Sequence, residues 1–564
     1  MLSIVPFQKI YASRYLMAVI AGLTMAAAFP KIELAGGAWI APALMLLAAV
    51  GKRGSESFRV GYVAGFTHYL ASLYWLLFIP YRWHSIPLGP ATGWVALSAF
   101  MALFPATWVW VVLRLAETRV AVPTGATLEE SEFPRLSPVT ASVLAGGWSQ
   151  RALWTLSGAC LWVAMEMVIN RIFGGFPWDL LGVSQYRLVP LLQIASVTGV
   201  YGISFLVVWF SLSLFSAGAL LIRRPGVRQL FLELALPGLV IALLFSHGLH
   251  QIRHAPPETR SIKLALIQPS IPQTLIWDET KDDERFQELL RLTEAAATNG
   301  PDLIVWPEAA VPKLLRYDHE VFERITGLAK SNKVWMILGA DDAEPKSDNP
   351  KQADYFNSSF LISPEGKVAD YYQKRALVIF GEYLPLARWL PFLKWFTPIE
   401  GGFTPGKAPS RFRLGNLDIL TSVLICYEDI FPQVARSGVT TNTDFLVNIT
   451  NDGWFGEGAA QWQQAMTALL RTVENRVPLI RCTNNGITCW IDAYGRVRQV
   501  FRDFQGSVYG KGFALWELPL PERRQSLTFY TRYGDVFGWS CTAISALLIA
   551  IKVALGRRRE PGTS

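Results

Sequence analysis

Eight long apolar runs constrain the fold of this chain more than any other feature of the sequence. An α-helix needs roughly 20 mostly apolar residues to cross a bilayer, and the runs lie around that length, several shorter and some longer. With 51% hydrophobic and only 17% charged residues, the chain is too apolar for an ordinary soluble protein. We therefore predict a polytopic α-helical bundle of eight membrane spans, near residues 15–29, 38–50, 60–79, 93–113, 152–169, 194–222, 230–247 and 537–555.

The first of these runs has two interpretations. It follows Lys9 and Arg14 and ends at Ala26-Ala27-Ala28, which is also the pattern of a cleaved signal peptide. Because further spans follow at once, we favour a first membrane helix that is retained.

Clusters of basic residues predict the orientation of the spans. Short loops rich in Lys and Arg favour the cytoplasmic side of a membrane. Such clusters follow the second, sixth and eighth spans, so an N-terminus inside the cell places all of them inside. This topology explains the net charge of +8 without a nucleic-acid partner. The clusters are Lys52, Arg53 and Arg59; Arg223, Arg224 and Arg228; and Arg557, Arg558 and Arg559.

This topology divides the chain into three parts. Residues 1–249 hold spans one to seven, 250–528 form a large segment outside the cytoplasmic membrane, and 529–564 hold span eight and a cytoplasmic tail. In the large segment, strand-like runs alternate with helical ones, which predicts an α/β domain with layered sheets between helices. We predict strands at 262–267, 303–305, 334–338, 356–362, 367–372, 419–425, 444–449, 479–483 and 488–491, and helices at 282–298, 319–331 and 459–475.

Three of these predicted strands end at residues suited to nucleophilic catalysis. Glu308, Lys374 and Cys426 each follow an apolar, strand-like run closely. A cysteine nucleophile needs a base for its thiol proton, and Glu308 is a better candidate than His319, which lies in a polar helical stretch. Alone, Cys426 is as well explained as a buried structural cysteine, and each charged residue as a solvated one. The combination favours catalysis.

Two further residues complete this hypothesis. Lys374 and the backbone N–H of Tyr427 would stabilise the oxyanion of a tetrahedral intermediate. Glu382 would orient Lys374 or share in proton transfer. The five cysteines of the chain are scattered and predict neither a disulfide framework nor a zinc site, and Cys482 and Cys489 are interpreted as ordinary core residues.

The sequence around these residues resembles the nitrilase superfamily. The shared motifs are WPE at 306–308, QKRALVIFGEYLP at 373–385 and LICYEDIFP at 424–432. Within that superfamily, the motifs IPQTLIWDE, NDGWFG and TNNGIT, together with eight spans, resemble the apolipoprotein N-acyltransferase family of Gram-negative bacteria over essentially the whole chain.

The resemblance implies a fold, a site and a location. The fold is a nitrilase-like α-β-β-α sandwich attached to the membrane bundle, and the triad is Glu308, Lys374 and Cys426. Trp277, Glu382, Tyr427 and Glu428 match the supporting residues of the family. The protein would be a monomer in the bacterial inner membrane, without cofactor or metal, and its catalytic domain would face the periplasm.

The resemblance also implies a reaction in two steps. Cys426 would take the sn-1 acyl chain of a phospholipid, typically phosphatidylethanolamine, as a thioester. The free α-amine of a diacylglyceryl-cysteine at the N-terminus of an apolipoprotein would then accept the chain, which is the last step of lipoprotein maturation.

An apolar arm at 386–396 independently supports a lipid substrate. It follows the Glu382 loop, and beside a bilayer its Trp389 and Trp395 would lie at headgroup level and admit lipid to the site. Trp454 and Phe455, in a loop flanked by glycines, would form another part of this rim. The alternative is that both segments pack on the domain core.

Two other functions remain open from the residues themselves. A membrane-tethered amidase or nitrile hydrolase would use the same triad with water as its second substrate. A non-catalytic lipid carrier would place polar groups within the membrane, where Glu166 is the clearest charge, but an intact triad argues against it.

Overall fold

The computed structural model describes residues 13–52, 54–80, 89–116, 146–221, 226–276, 278–346, 349, 351–384, 402–409, 411–522 and 526–557. The chain divides into two compact units. The first comprises Met1–Tyr74, Gly93–His250 and Asp535–Ser564, and the second comprises Trp75–Thr92 and Gln251–Gly534. The division at 249/250 and 528/529 that we draw from the sequence stays a prediction.

The first unit is helical. Its longer helices follow the predicted apolar runs, and short 3₁₀ turns at Ala35–Trp39, Ile172–Gly174 and Leu181–Gln185 connect them. The helices in this part of the chain are Arg14–Ala26, Ala41–Ala49, Ser55–Ser72, Gly89–Met101, Leu103–Ala116, Trp148–Ile169, Val189–Leu192, Ala195–Thr198, Val200–Leu221, Val227–Arg253 and Val536–Arg557.

The predicted count of eight spans is not confirmed. In the described part of the chain, five helical segments are long and apolar enough to cross a membrane: Gly89–Ala116, Trp148–Ile169, Val200–Leu221, Val227–Arg253 and Val536–Leu555. The other three predicted spans coincide with helices of 13, 9 and 18 residues, at Arg14–Ala26, Ala41–Ala49 and Ser55–Ser72. The first two are too short and the third carries too many polar side chains for the same assignment.

Small residues and one buried acid hold the helical unit together. A Cβ on Gly61 would lie 2.9 Å from Cβ of Val109, so only glycine permits this approach of Ser55–Ser72 to Leu103–Ala116. Glu166 Oε1 accepts hydrogen bonds from the indole of Trp162 at 2.9 Å and the backbone N–H of Leu181 at 2.8 Å. Glu166 thus joins its helix to the turn that follows it.

The second unit contains two six-stranded sheets packed face to face. The first has the order β12-β1-β2-β3-β4-β5 and the second has the order β11-β10-β9-β8-β7-β6. In each sheet three consecutive strands are parallel, β1, β2 and β3 in the first and β7, β8 and β9 in the second. All other neighbouring strands are antiparallel. The strands are β1 Glu258–Gln268, β2 Leu303–Val305, β3 Trp335–Pro345, β4 Ala353–Ile362, β5 Val368–Gln373, β6 Phe412–Leu414, β7 Ile419–Ile425, β8 Phe445–Thr450, β9 Leu479–Thr483, β10 Cys489–Ile491, β11 Val497–Val500 and β12 Gly512–Pro521.

Alternation along the strands creates two apolar layers around the first sheet. In β1, Ile262, Leu264 and Leu266 face the second sheet, whereas Ala265 and Ile267 face helices. This period of two is what a strand with both faces buried requires. The helices Asp282–Ala297 and His319–Asn332 cover the outer face of the first sheet.

Helices also cover the second sheet, which completes the predicted α-β-β-α sandwich. Pro432–Gly438 packs on β7 and Ala459–Asn475 packs on β9. The remaining helices of this unit are Gln273–Ile276 and Phe529–Tyr533, with 3₁₀ turns at Tyr74–Phe78, Glu279–Lys281, Gly415–Leu417, Cys426–Ile430 and Asp452–Phe455. The nitrilase-like fold with two sheets is therefore confirmed.

Candidate active site

The nucleophile candidate stands on a sharp turn at the end of a buried strand. All seven residues of β7 are buried, and Cys426 follows them with φ +55°, in the left-handed region that residues other than glycine rarely adopt. The side chain of Asn448 supports this turn, because its Nδ2 donates to the backbone oxygen of Cys426 at 2.8 Å. Cys426 is half-buried and packs against the apolar core between the two sheets.

Glu308 lies at the end of β2 and is held by three donors. Its Oε1 accepts from Lys374 Nζ at 3.2 Å and from Asn357 Nδ2 at 2.8 Å, and its Oε2 accepts from the backbone N–H of Asn451 at 3.0 Å. Glycine is required at 339, because a Cβ there would lie 2.6 Å from the carbonyl oxygen of Pro307 and 2.7 Å from Cα of Glu308. The carboxylate is therefore fixed from several strands at once.

Lys374 follows β5 and is almost completely buried, with 1% of its surface exposed. Its backbone N–H donates to the carbonyl oxygen of Asn357 at 2.8 Å, which anchors the end of the strand. Its ammonium group donates to Glu382 Oε1 at 2.7 Å as well as to Glu308. Burial alone would lower the pKa of Lys374, but these two carboxylates outweigh burial and raise it well above the usual value. The lysine is a permanent positive charge.

Asn357 lies between the two carboxylates and was missed by sequence reasoning. Its Nδ2 donates to Glu308 Oε1 at 2.8 Å and to Glu382 Oε1 at 3.0 Å. Glu382 is held in turn by the backbone N–H of Val378, which donates to Oε2 at 2.8 Å. The only signal in the sequence is a run of polar residues, Asn357-Ser358-Ser359, inside an otherwise apolar strand.

Glu428 joins the lysine strand to the cysteine turn. This fully buried carboxylate accepts from the backbone N–H groups of Arg375 at 2.7 Å, Ala376 at 3.0 Å and Ile425 at 2.8 Å. The hydroxyl of Tyr372 donates to it as well, at 2.9 Å. Glu428 contacts the segments on both sides of the site, so it fixes the position of Lys374 relative to Cys426.

Cys426 shares the electrostatic environment of the acid and the lysine. Burial, and then the negative charge of Glu308, raise the pKa of the Cys426 thiol well above its usual value, and Lys374 lowers it in part. The resting sulfur is therefore a protonated thiol, so attack requires transfer of its proton to a base. An acid, a lysine and a thiol are the groups that acyl transfer to sulfur would use.

Of the predicted supporting residues, Tyr427 lies in the site and Trp454 lies in the turn next to it. The Lys374 ammonium lies 5.7 Å from the ring centroid of Tyr427, whose hydroxyl donates to the carbonyl oxygen of Leu377 at 2.6 Å. Trp454 is half-buried in the turn Asp452–Phe455, directly after Asn451. Trp277, Trp389 and the arm 386–396 lie outside the described residues.

Cys482 and His319 have surroundings that indicate structural or surface roles. Cys482 is fully buried in the core between the sheets, where its Sγ contacts the carbonyl oxygens of Ile267 and Val305. His319 is exposed and pairs with Glu323 at 3.3 Å. Among the described residues, no three His, Cys, Asp or Glu side chains are grouped to hold a metal ion.

Known proteins match both halves of the chain. A family model described as carbon-nitrogen hydrolase matches residues 263–508, and another, described as the N-terminal domain of apolipoprotein N-acyltransferase, matches residues 21–213. The apolipoprotein N-acyltransferase of Geobacter metallireducens is 35% identical over 551 residues, covering 97% of this chain and 96% of the relative. That of Brucella melitensis biotype 1 is 30% identical over 534 residues, covering 89% and 86%.

Solved structures of amidases also align with part of the chain. An amidase from Nesterenkonia sp. AN1 gives a TM-score of 0.35 at 16% identity, and the alignment covers 50% of this chain and 96% of the amidase.

Proposed function

Because the chain belongs to the apolipoprotein N-acyltransferase family, we propose that it carries an acyl group from a phospholipid to an apolipoprotein through a thioester on Cys426. It is an acyltransferase enzyme of a membrane, with lipid and protein substrates. Phosphatidylethanolamine, cleaved at sn-1, is the proposed donor, and the α-amine of an N-terminal diacylglyceryl-cysteine is the proposed acceptor.

In the first step, Glu308 takes the thiol proton as sulfur attacks the ester carbonyl. The raised pKa of Cys426, caused by burial and by Glu308, makes this proton transfer necessary. Lys374 has three N–H hydrogens, of which two are donated to Glu308 and Glu382, so the third remains for the oxyanion. The first N–H groups of a helix have no partner within it, so Tyr427 N–H can also donate to the oxyanion. Glu308 then protonates the leaving alcohol of the lysophospholipid.

In the second step, the acceptor amine attacks the thioester. Glu308 takes a proton from the attacking nitrogen, the same donors stabilise the second oxyanion, the C–S bond breaks, and Glu308 passes that proton to the sulfur. Two steps with a covalent intermediate predict ping-pong kinetics.

Two further parts of the proposal concern the membrane. The basic clusters of the sequence favour an enzyme of the bacterial inner membrane with the second unit in the periplasm. The arm 386–396 is proposed to admit lipid to the site. Polar replacements at both Trp389 and Trp395 should slow acylation by phospholipid, and an unchanged rate would remove this role.

The single observation that carries the proposal is the joint arrangement of Glu308, Lys374 and the strained turn of Cys426. The experiment is intact-mass spectrometry of the full-length protein in detergent after incubation with phosphatidylethanolamine. We expect a fatty-acyl increment on the wild type and on a Cys541→Ala control, and none on Cys426→Ala. A diacylglyceryl-cysteinyl peptide should then clear the increment.

Two results would contradict this mechanism. An adduct that water clears as fast as the peptide does would identify a hydrolase. Transfer to the peptide without any adduct on Cys426 would exclude the thioester.

A further inference from the structure

Proton accounting shows that the proposed second step needs one more base than the triad provides. An α-amino group has a pKa of about 7.7–8.0, so much of the acceptor is an ammonium ion at neutral pH. When it becomes an amide, nitrogen forms a bond to carbon, the C–S bond breaks and nitrogen loses two protons. One of these protons goes through Glu308 to the leaving sulfur. The other leaves the site, and Glu308 is not able to hold both.

Strand β3 of the first sheet supplies a further carboxylate next to the proposed triad. The sequence predicts that this strand ends at 338, but β3 continues to Pro345 and so includes Asp341. Trp335 and Ile337 on β3 face the second sheet, whereas Met336 and Leu338 face the helices. By the period of two, Asp341 belongs to the row that faces the second sheet.

Gly339 and Asn357 show that the face of β3 to which Asp341 belongs lies against Glu308. Gly339, two residues before Asp341, is the position where an added Cβ would lie 2.7 Å from Cα of Glu308. Across the sheet, Asp341 pairs with Asn357 of antiparallel β4. Directly opposite residues have Cβ atoms about 4.5–5.5 Å apart and share a face. Since Asn357 donates to both Glu308 and Glu382, Asp341 lies beside both carboxylates.

Asp342, the adjacent acid, has a different environment. It lies on the opposite face of β3, is fully buried and forms an ion pair with Arg316. No hydrogen bond or ion pair of the Asp341 carboxylate is formed with the described residues, and Asp341 is half-buried. Asp342 is therefore structural, whereas Asp341 is available to exchange a proton.

Resting on the proposed function, we propose that Asp341 is a second catalytic base that takes the proton of the acceptor ammonium before the amine attacks the thioester. Asp341 then loses this proton to solvent, while Glu308 transfers the second proton from nitrogen to sulfur. Each proton has a defined acceptor, and no other reactant is needed.

The charges around Asp341 suit this role. Burial, and then the negative charges of Glu308 and Glu382, raise the pKa of Asp341 to about 7, against the opposing effect of Lys374; Asp342 adds a smaller increase. A base with a pKa near the working pH both accepts and releases protons readily. Asp341 therefore takes a proton from an ammonium of similar pKa and returns it to water.

The experiment separates the two steps in the full-length enzyme in detergent. Wild type and Asp341→Asn are first loaded with phosphatidylethanolamine, and loading is followed by intact mass. Each acyl-enzyme is then mixed with diacylglyceryl-cysteinyl peptide between pH 6 and pH 9 and quenched at intervals. Asp354→Asn on β4, outside the cluster, is the matched control.

We expect Asp341→Asn to load at nearly the wild-type rate and to release its acyl chain about 10- to 100-fold more slowly at pH 7. The midpoint of the pH profile for release should move from about 7 toward about 8, the pKa of the free amine. Added imidazole should restore part of the rate in the variant, because it replaces the missing base. A purely structural role of Asp341 would produce none of these changes in pH dependence.

Three outcomes would overturn the inference. Release from Asp341→Asn at the wild-type rate and with the wild-type profile would show that the carboxylate is not used. Equal slowing of loading and release would show a structural effect. Failure of the wild type to load at all would remove the proposed thioester, and with it the step that Asp341 serves.

Discussion

Among the described residues of the second unit, two buried clusters each place two or more acids around a single cation, and they differ in how much room they leave for a reacting group. In the first, the guanidinium of Arg481 donates to both oxygens of Asp452, at 2.8 and 3.0 Å, and to Asp429 at 3.3 Å. Arg481 and Asp429 are completely buried, and Asp452 is 1% exposed. The planar fork of arginine matches the carboxylates, so this cluster has little capacity for a further partner.

The second cluster is built around Lys374 and is less complete. A lysine ammonium is a compact charge with three hydrogens, and two of them are donated to Glu308 and Glu382. Three acids, including Asp341, face this single cation. The comparison shows how one domain uses the two cations differently, with arginine to close a structural network and lysine to leave a donor for an oxyanion.

The two clusters are connected through adjacent residues. Asn451 donates its backbone N–H to Glu308, and the next residue, Asp452, binds Arg481. The Arg481 cluster, which we call the closed cluster, therefore fixes the turn on which the Lys374 cluster, the open cluster, depends. Exchanging the two cations is the most direct test of these different roles of arginine and lysine.

Lys374→Arg should have the largest effect. Arginine keeps the charge, but its fork binds the two carboxylates bidentately and directs no hydrogen toward the oxyanion. We expect acyl-enzyme formation to fall on the order of 10³-fold or more. Loading with phosphatidylethanolamine, followed by intact mass, measures this rate. Lys374→Met, which has similar length and no charge, should be equally inactive. Loading by Lys374→Arg within tenfold of wild type would mean that charge alone is sufficient.

Arg481→Lys is the reciprocal exchange and should act on stability. Lysine donates to one oxygen of Asp452 at most and leaves the other carboxylate buried without its partner. We expect the free energy of unfolding to fall by about 2–4 kcal/mol. Thermal unfolding in detergent measures the change, and Arg498→Lys, at a half-exposed ion pair, is the control. Protein that remains folded should still form the acyl-enzyme, and an unchanged Tm would contradict the structural role.

Asn357→Ala should have a smaller effect, restricted to the open cluster. The amide donates to the carboxylates of both Glu308 and Glu382, so its loss removes two hydrogen bonds and moves the acid from its position. We expect loading to slow about 10- to 100-fold, with a smaller change in KM for the phospholipid than in kcat. Steady-state kinetics provide both constants. A change in KM alone would indicate that Asn357 binds substrate instead of positioning the acid.

Two of the strands that lead to the proposed triad, β2 and β7, are predictable because they are buried on both faces. The predicted runs 303–305, 419–425 and 479–483 coincide with β2, β7 and β9, and 459–475 coincides with its helix. A continuous apolar run that ends abruptly at a polar residue marks both the strand and the residue at its end. For this reason Glu308 and Cys426 are predicted as site candidates, whereas Lys374 follows β5, an edge strand with exposed residues. The catalytic role of all three stays a prediction.

Partners across the sheet are not predictable in the same way. The second half of β3 contains Asp341 and Asp342, and acids are unfavourable in strands, so the sequence predicts too early an end. Only tertiary contacts explain why these two acids lie in a strand. Arg316 pairs with Asp342, and Glu308, Glu382 and Lys374 interact with Asp341. Asn357 likewise gains its role from carboxylates distant in sequence. The short or edge strands β6, β11 and β12 were missed because their patterns are weak.

Asp341→Asn should change stability with a defined pH dependence. Burial and the neighbouring acids raise the pKa of Asp341 to about 7 in the folded protein, against a usual value of 3.8. Between these values the folded state binds more protons than the unfolded state, so this group makes stability fall as pH rises. Below the lower value both states are protonated, and aspartic acid and asparagine are nearly equivalent.

The free energy of unfolding of the variant should therefore match that of the wild type near pH 4 and exceed it by up to about 4 kcal/mol at pH 8, because the variant lacks the ionised carboxylate. The difference in Tm between variant and wild type, measured across this range, tests the prediction. A constant difference for Asp341→Asn would place its pKa near that of an ordinary aspartate. The open cluster would then contain two strongly interacting acids instead of three. A gain in stability at pH 8 that accompanies slower release of the acyl chain would show that the protein sacrifices stability at this position for catalysis.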